Sequence, residues 1–109
     1  MPEKVSLGAV LARMSHAYEP EPVARVDDHQ ALVVRYEGKY PKHSHDADEF
    51  LLCIQGEITV ELPDATVTLR PNEGLRIPAG TLHSPSGKKG VGLLFESASL
   101  ATRLPGATD

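Results

Sequence analysis

Apolar side chains recur at Leu7, Val10, Leu11 and Met14, the three- and four-residue spacing of one helical face. This predicts a short helix within residues 5 to 17, laying one apolar stripe on a sheet and carrying no sign of a cofactor. It should end before the Glu-Pro-Glu-Pro stretch at 19–22, because a residue that precedes proline is pushed out of the helical region. After Pro22 the texture changes to short β-like runs: VARV (23–26), ALVVRYE (31–37), EFLLCIQ (49–55), EITVEL (57–62), TVTLR (66–70), GLRIPA (74–79) and VGLLFE (91–96). Gly38, Pro41, Gly56, Pro63-Asp64, Pro71-Asn72, Gly80, Pro85 and Gly87 separate them, all residues that set turn dihedrals. Short strands at this even spacing, with no alternating helices, predict an all-β sandwich or barrel. GKKGVG (87–92) lacks the spacing of a phosphate loop and reads as a loop between strands. The pattern divides the chain into a helix and linker over 1–22, a β-barrel over 23–96, and a tail over 97–109 that covers an opening or frays.

The stretch HSHDADE (43–49) is where chemistry enters. In a strand, side chains two apart point to one face, so His43 and His45 point together, with Glu49 if the register holds. Nitrogen and oxygen donors on one face of a curved sheet are what a transition metal needs. Leu51 and Cys53 continue that face as an apolar wall. A fourth donor is offered by GLRIPAGTLH (74–83), where a strand runs into a Pro78-Ala79-Gly80 turn and His83 follows on the return.

Taken together these segments resemble the cupins. The first cupin motif is a glycine, then His-X-His, three residues, a glutamate, six residues and a glycine. Gly38, His43, His45, Glu49 and Gly56 match it, with four residues rather than five between Gly38 and His43. The second motif, Gly…Pro-X-Gly-X-X-His…Asn, is matched by Gly74, Pro78, Gly80 and His83, with three residues rather than five after Gly74. Gly87 stands where the motif has asparagine, a departure that touches loop support more than the ligands. The front helix and the LLFES strand also look like the small single-domain cupins labelled mannose-6-phosphate-isomerase-like, a label that marks fold and not reaction. The resemblance implies a jelly-roll antiparallel β-barrel behind a short N-terminal helix. It also implies a metal held by His43, His45, Glu49 and His83, and a homodimer.

Composition narrows the partners. Eleven basic against fifteen acidic side chains give a formal charge of -4, which leaves no basic excess for nucleic acid. No segment is apolar enough to span a membrane, and the single Cys53 suits a reducing compartment, so a cytoplasmic location is expected. Tyr36, Tyr40, Lys42 and Arg76 lie near the ligands in sequence but are most simply surface or barrel rim, Gln55 is a weak pocket candidate, and His16 and His29 read as solvated.

Three histidines and a carboxylate can bind Zn, Fe, Mn, Ni or Cu in the divalent state. The leading expectation is a metal-dependent enzyme of the isomerase or lyase type acting on a small polar molecule. The alternatives are an Fe(II)-dependent dioxygenase and a non-enzymatic module that binds a sugar or other small ligand. Aromatic residues make up only 5%, which argues for limited stacking on a flat substrate.

Overall fold

The computed structural model describes residues 1–104. Helix α1 (Leu7–Ala12) is followed by strands β1 (Glu21–Val26), β2 (His29–Lys39), β3 (Ser44–His45), β4 (Glu49–Glu61), β5 (Thr66–Leu69), β6 (Gly74–Ile77), β7 (Ser84–Ser97) and β8 (Thr102–Arg103). All pairings are antiparallel, as the all-β reading requires. The main sheet runs β1-β2-β7-β4-β5, with β6 added to the first half of β4, and β3 pairs β8 apart from it. This sheet curls into a jelly-roll barrel without closing its hydrogen-bond ladder.

The inner face carries the core. Val34 and Tyr36 of β2 meet Leu51, Cys53, Ile58 and Val60 of β4 there, with Leu69 and Ile77. On the outer face Val33 and Val91 are covered by Val10 and Leu11 of the helix. Each fully buried aliphatic side chain, such as Ile58 or Val60, contributes roughly 1.5–3 kcal/mol through removal from water.

Two strand assignments from sequence are corrected. Residues 49–55 and 57–62 are not separate strands: β4 passes through Gly56, whose φ of +65° makes it a bulge. A Cβ at Gly56 would lie 2.1 Å from the Lys89 carbonyl oxygen, so only glycine fits. The bulge switches the inward parity from Glu49, Leu51 and Cys53 to Ile58 and Val60. Nor is GKKGVG a loop, since it lies inside β7. Its glycines let β7 run flat against Tyr36, for a Cβ at Gly92 would meet the Tyr36 ring at 2.9 Å.

The helix is shorter than expected. Ser6 caps its start by accepting from the Ala9 amide at 3.3 Å. At the other end the Arg35 guanidinium donates to the carbonyls of Leu11 (2.7 Å) and Met14 (3.0 Å). A long-range cation thus takes up the helix-end acceptors before the proline stretch is reached.

Candidate metal centre

His43 and His83 face each other as an isolated antiparallel bridge, each amide donating to the other's carbonyl at 3.0 and 2.9 Å. Backbone pairing, and not side-chain packing alone, therefore sets the distance between the two walls that carry them. Asp48 holds the Pro78-Ala79-Gly80 turn in place, accepting from the Ala79 amide at 2.9 Å and from Arg76 at 3.0 Å. The Gly80 amide donates to the His45 carbonyl at 2.8 Å. These bonds return the chain so that His83 meets His43 and His45.

The imidazole centroids lie 4.3 Å apart for His43–His83, 4.8 Å for His43–His45 and 5.3 Å for His45–His83. One ring nitrogen of each lies within 4.8 Å of the others, so the three could hold a metal ion. Nδ1 of His43 is 2.8 Å from the Pro41 carbonyl oxygen, and Nδ1 of His83 is 2.9 Å from that of Thr81. A carbonyl only accepts, so in both rings Nδ1 bears the proton and Nε2 turns a lone pair inward. The Nδ1 of His45 lies 3.1 Å from the Thr102 hydroxyl.

Glu49, buried at the start of β4, completes the group. Its Oε1 is 3.2 Å from His83 Nε2 and its Oε2 is 3.4 Å from His45 Nε2. With Nδ1 protonated, the His83 Nε2 lone pair would oppose a carboxylate lone pair. Something positive must join them: a second proton on the ring, or a metal ion. Two donors that share one ion at about 2.0–2.1 Å stand about 3 Å apart, close to the separations found here. The donor set fits a transition metal.

Electrostatics agree with that chemistry. Burial pushes His43 and His45 below the usual imidazole range, toward the neutral form that ligates. Burial also pushes His83 down, but the hydrogen bonds to Glu49 and to the Thr81 carbonyl outweigh it and leave its affinity for a proton raised.

Beside the histidines lies a cavity of about 220 Å³. Aliphatic side chains such as Val34, Leu51, Val60 and Ile77 form its walls, and Glu96 of β7 faces in beside Glu49. All three tyrosines of the chain, Tyr18, Tyr36 and Tyr40, line it. Their ring centroids are 5.5 Å apart for Tyr18–Tyr36 and 4.9 Å for Tyr18–Tyr40, and Tyr40 meets His43 edge-on at 5.2 Å. Aromatic residues are few, as the composition shows, but the tyrosines among them are gathered at the cavity, while Phe50 and Phe95 are not part of its lining. Burial, then the nearby Glu37, pushes the Tyr18 phenol up to about 12, and its hydroxyl donates to the Gly38 carbonyl at 2.6 Å. Burial, then the charge of Glu49, pushes the Glu96 carboxyl up to about 7 against a hydrogen bond from Gln30.

Residues 98–104 return across the opening. Strand β8 pairs β3 beside His45, and Leu100 and Thr102 line the cavity. The Ala101 amide donates to the Asp46 carboxylate at 2.8 Å. The remainder of the tail, 105–109, lies outside the described residues.

The sequence candidates separate clearly. His43, His45, Glu49 and His83 come together, and Tyr36 and Tyr40 reach the cavity, Tyr36 as a core residue and not as rim. Lys42 is exposed, Arg76 pairs with Asp48 on the outside, and Gln55 is exposed at the bulge. Cys53 is fully buried, its thiol donating to the Gln55 carbonyl at 3.4 Å. Sequence reading missed Tyr18, Glu96 and Thr102. The alternation Gly92, Leu94, Glu96 carried the signal for Glu96, whereas Tyr18 and Thr102 stand in stretches without a period.

Known proteins agree with this architecture. A family model described as a cupin domain matches residues 32–91. The uncharacterized protein YdbB of Bacillus subtilis (strain 168) is 35% identical over 63 residues, 56% of this chain and 56% of that protein. The chain thus aligns with little more than half the length of that curated relative. A cupin-2 domain containing protein from Shewanella frigidimarina is similar in structure, with a TM-score of 0.81, 25% identity and coverage of 85% of this chain and 93% of that one. Protein NMB1881 from Neisseria meningitidis gives 0.78, 28% identity and coverage of 88% and 100%. A hydroquinone 1,2-dioxygenase from Sphingomonas sp. TTNP3, solved with 4-hydroxybenzoate bound, shares the fold at a TM-score of 0.69, 22% identity and coverage of 80% and 69%. With a cupin-domain match over more than half its length and the two cupin motifs converging on one cavity, the chain belongs to the cupin family.

Proposed function

We propose that this cupin is a metal-dependent enzyme that binds a small molecule at an ion held by His43, His45, Glu49 and His83. The observation that carries this reading is the inward convergence of the three imidazoles on a buried carboxylate, next to a cavity. A divalent metal held there would act as a Lewis acid on a coordinated oxygen. The chain's own groups do the remaining work. Carbonyls of Pro41 and Thr81 fix the ring tautomers, aliphatic walls line the cavity, Glu96 stands within it to exchange a proton with a bound molecule, and the Tyr36 phenol, which burial keeps protonated, can donate a hydrogen bond. Such an arrangement suits the proton transfers of an isomerase or lyase.

A second reading, an Fe(II)-dependent dioxygenase, is favoured by the gathering of all three tyrosines around the cavity, which suits a flat aromatic substrate. Metal analysis of tag-free protein purified without chelators, combined with oxygen-uptake assays across candidate substrates, separates the two. Zinc or manganese at about one ion per chain without oxygen uptake is the expected result. Stoichiometric iron with substrate-stimulated uptake would replace the first reading by the second, and ligand binding without turnover would leave a binding module. We also propose a cytoplasmic homodimer; among the described residues no helix is long and apolar enough to cross a membrane.

A further inference from the structure

Two of the three imidazoles are held from within their own loops, since the Pro41 and Thr81 carbonyls each lie two residues before the histidine they orient. His45 is different. Its Nδ1 partner is the Thr102 hydroxyl, 57 positions away on the last strand. That strand belongs to a segment with little hold on the barrel. β7 ends at Ser97, and the chain turns there, the Leu100 amide donating to the Ser97 carbonyl at 3.1 Å and the Ala98 amide to that of Asp28 at 3.0 Å. Asp46 ties it down again: its amide donates to the Ala101 carbonyl at 3.1 Å, and its carboxylate accepts from the Ala101 amide at 2.8 Å. The ladder that follows is two residues long. Between Ala98 and Thr102 only Leu100 is even half-buried. A segment with so few ties and so little buried apolar surface opens at far lower cost than the sheet.

We propose that residues 98–104 are a strap that opens and closes as a unit, and that Thr102 is a positioning residue through which closure sets His45 for the metal. Closed, the strap puts the Thr102 hydroxyl where it accepts from the Nδ1–H of His45 and turns Nε2 toward Glu49 and the neighbouring imidazoles. Open, it leaves that ring without its partner and takes Leu100 and Thr102 out of the cavity wall. This rests on the metal centre proposed above. Linkage makes the effect mutual: whatever factor closure adds to metal affinity, the metal adds to closure. An ion held by His45 therefore holds this wall of the cavity shut.

The test measures Zn(II) affinity of the full chain by competition with a chromophoric chelator, and strap opening by amide hydrogen exchange. Thr102→Val should weaken zinc binding about tenfold, the usual cost of losing the outer partner of a ligating histidine. Thr102→Ser should keep the wild-type affinity, and the metal-free melting temperature should be unchanged in both. Zinc should slow exchange of the Ala101 amide about tenfold in wild type and leave it unaltered in Thr102→Val. Asp46→Ala opens the clasp without altering the His45 side chain. It should weaken zinc binding by no more than Thr102→Val does, and the double variant should be no weaker than Thr102→Val alone. Unaltered zinc affinity in Thr102→Val, equal slowing by zinc in wild type and Thr102→Val, or additive losses in the double variant would overturn the proposal. Failure of the metal reading registers separately, as a wild type that takes up no zinc. Exchange in the metal-free chain then decides the strap alone. The amide at position 46 keeps its Ala101 acceptor in Asp46→Ala, so faster exchange there reports opening, and an unchanged rate removes the strap.

Discussion

Glu96 shows how one buried group ties the fold to solution conditions. An unfolded glutamate titrates near the ordinary value of 4.5, whereas in the folded, metal-free chain burial and Glu49 move the group up to about 7. Between those values the folded state holds a proton that the unfolded state has released. Stability therefore falls as pH rises from about 4.5 to about 7. Glu96→Gln should flatten that decline, read as the shift in urea midpoint between pH 5 and pH 7.5 in chelator-treated protein. Parallel slopes for wild type and variant would show that Glu96 is not held in this way. Period-two spacing put His43 and His45 on one face, whereas Glu49 and His83 joined the proposed set through the resemblance to the cupin motifs, because the contact between the two walls leaves no local signal. Thr102 was not legible in the sequence: its role depends on β8 returning to β3, a pairing of two residues with no local signature.

At the scale of elements, alternation of apolar and polar residues located most strands, since a curved sheet with one buried face imposes it. Errors arose where glycine was read as punctuation. The stretch around Gly56 breaks the alternation without ending the strand, because the register with β7 shifts on both sides of Gln55 and the inward parity changes there. The glycines of β7 are a packing device for Tyr36 on the adjacent strand, and a contact between distant residues leaves no trace in local spacing. Arg35 is a third such case. It reads as a polar strand residue, yet from β2 it caps the helix and determines where the helix stops.

Across the whole molecule, the helix covers only part of the outer sheet. Phe50 and Phe95, cross-strand partners on β4 and β7, stay 39% and 43% exposed beyond its reach. We expect the homodimer to form over this face, since paired exposed aromatics are a common anchor of subunit contacts. Light scattering at micromolar concentration should give twice the chain mass for wild type and the single mass for Phe50→Asp/Phe95→Asp. A monomeric wild type would remove the homodimer. The barrel itself, with His43 bridging His83 across its walls, is what brings together residues of the proposed metal centre that lie forty positions apart in sequence. That claim is tested most directly by metal content per chain in wild type and His83→Ala, each checked for an intact fold by thermal melting. The expected result is about one ion per chain in wild type and well under half that in the variant. Equal metal content in the two proteins, or none in wild type after reconstitution, would contradict the account.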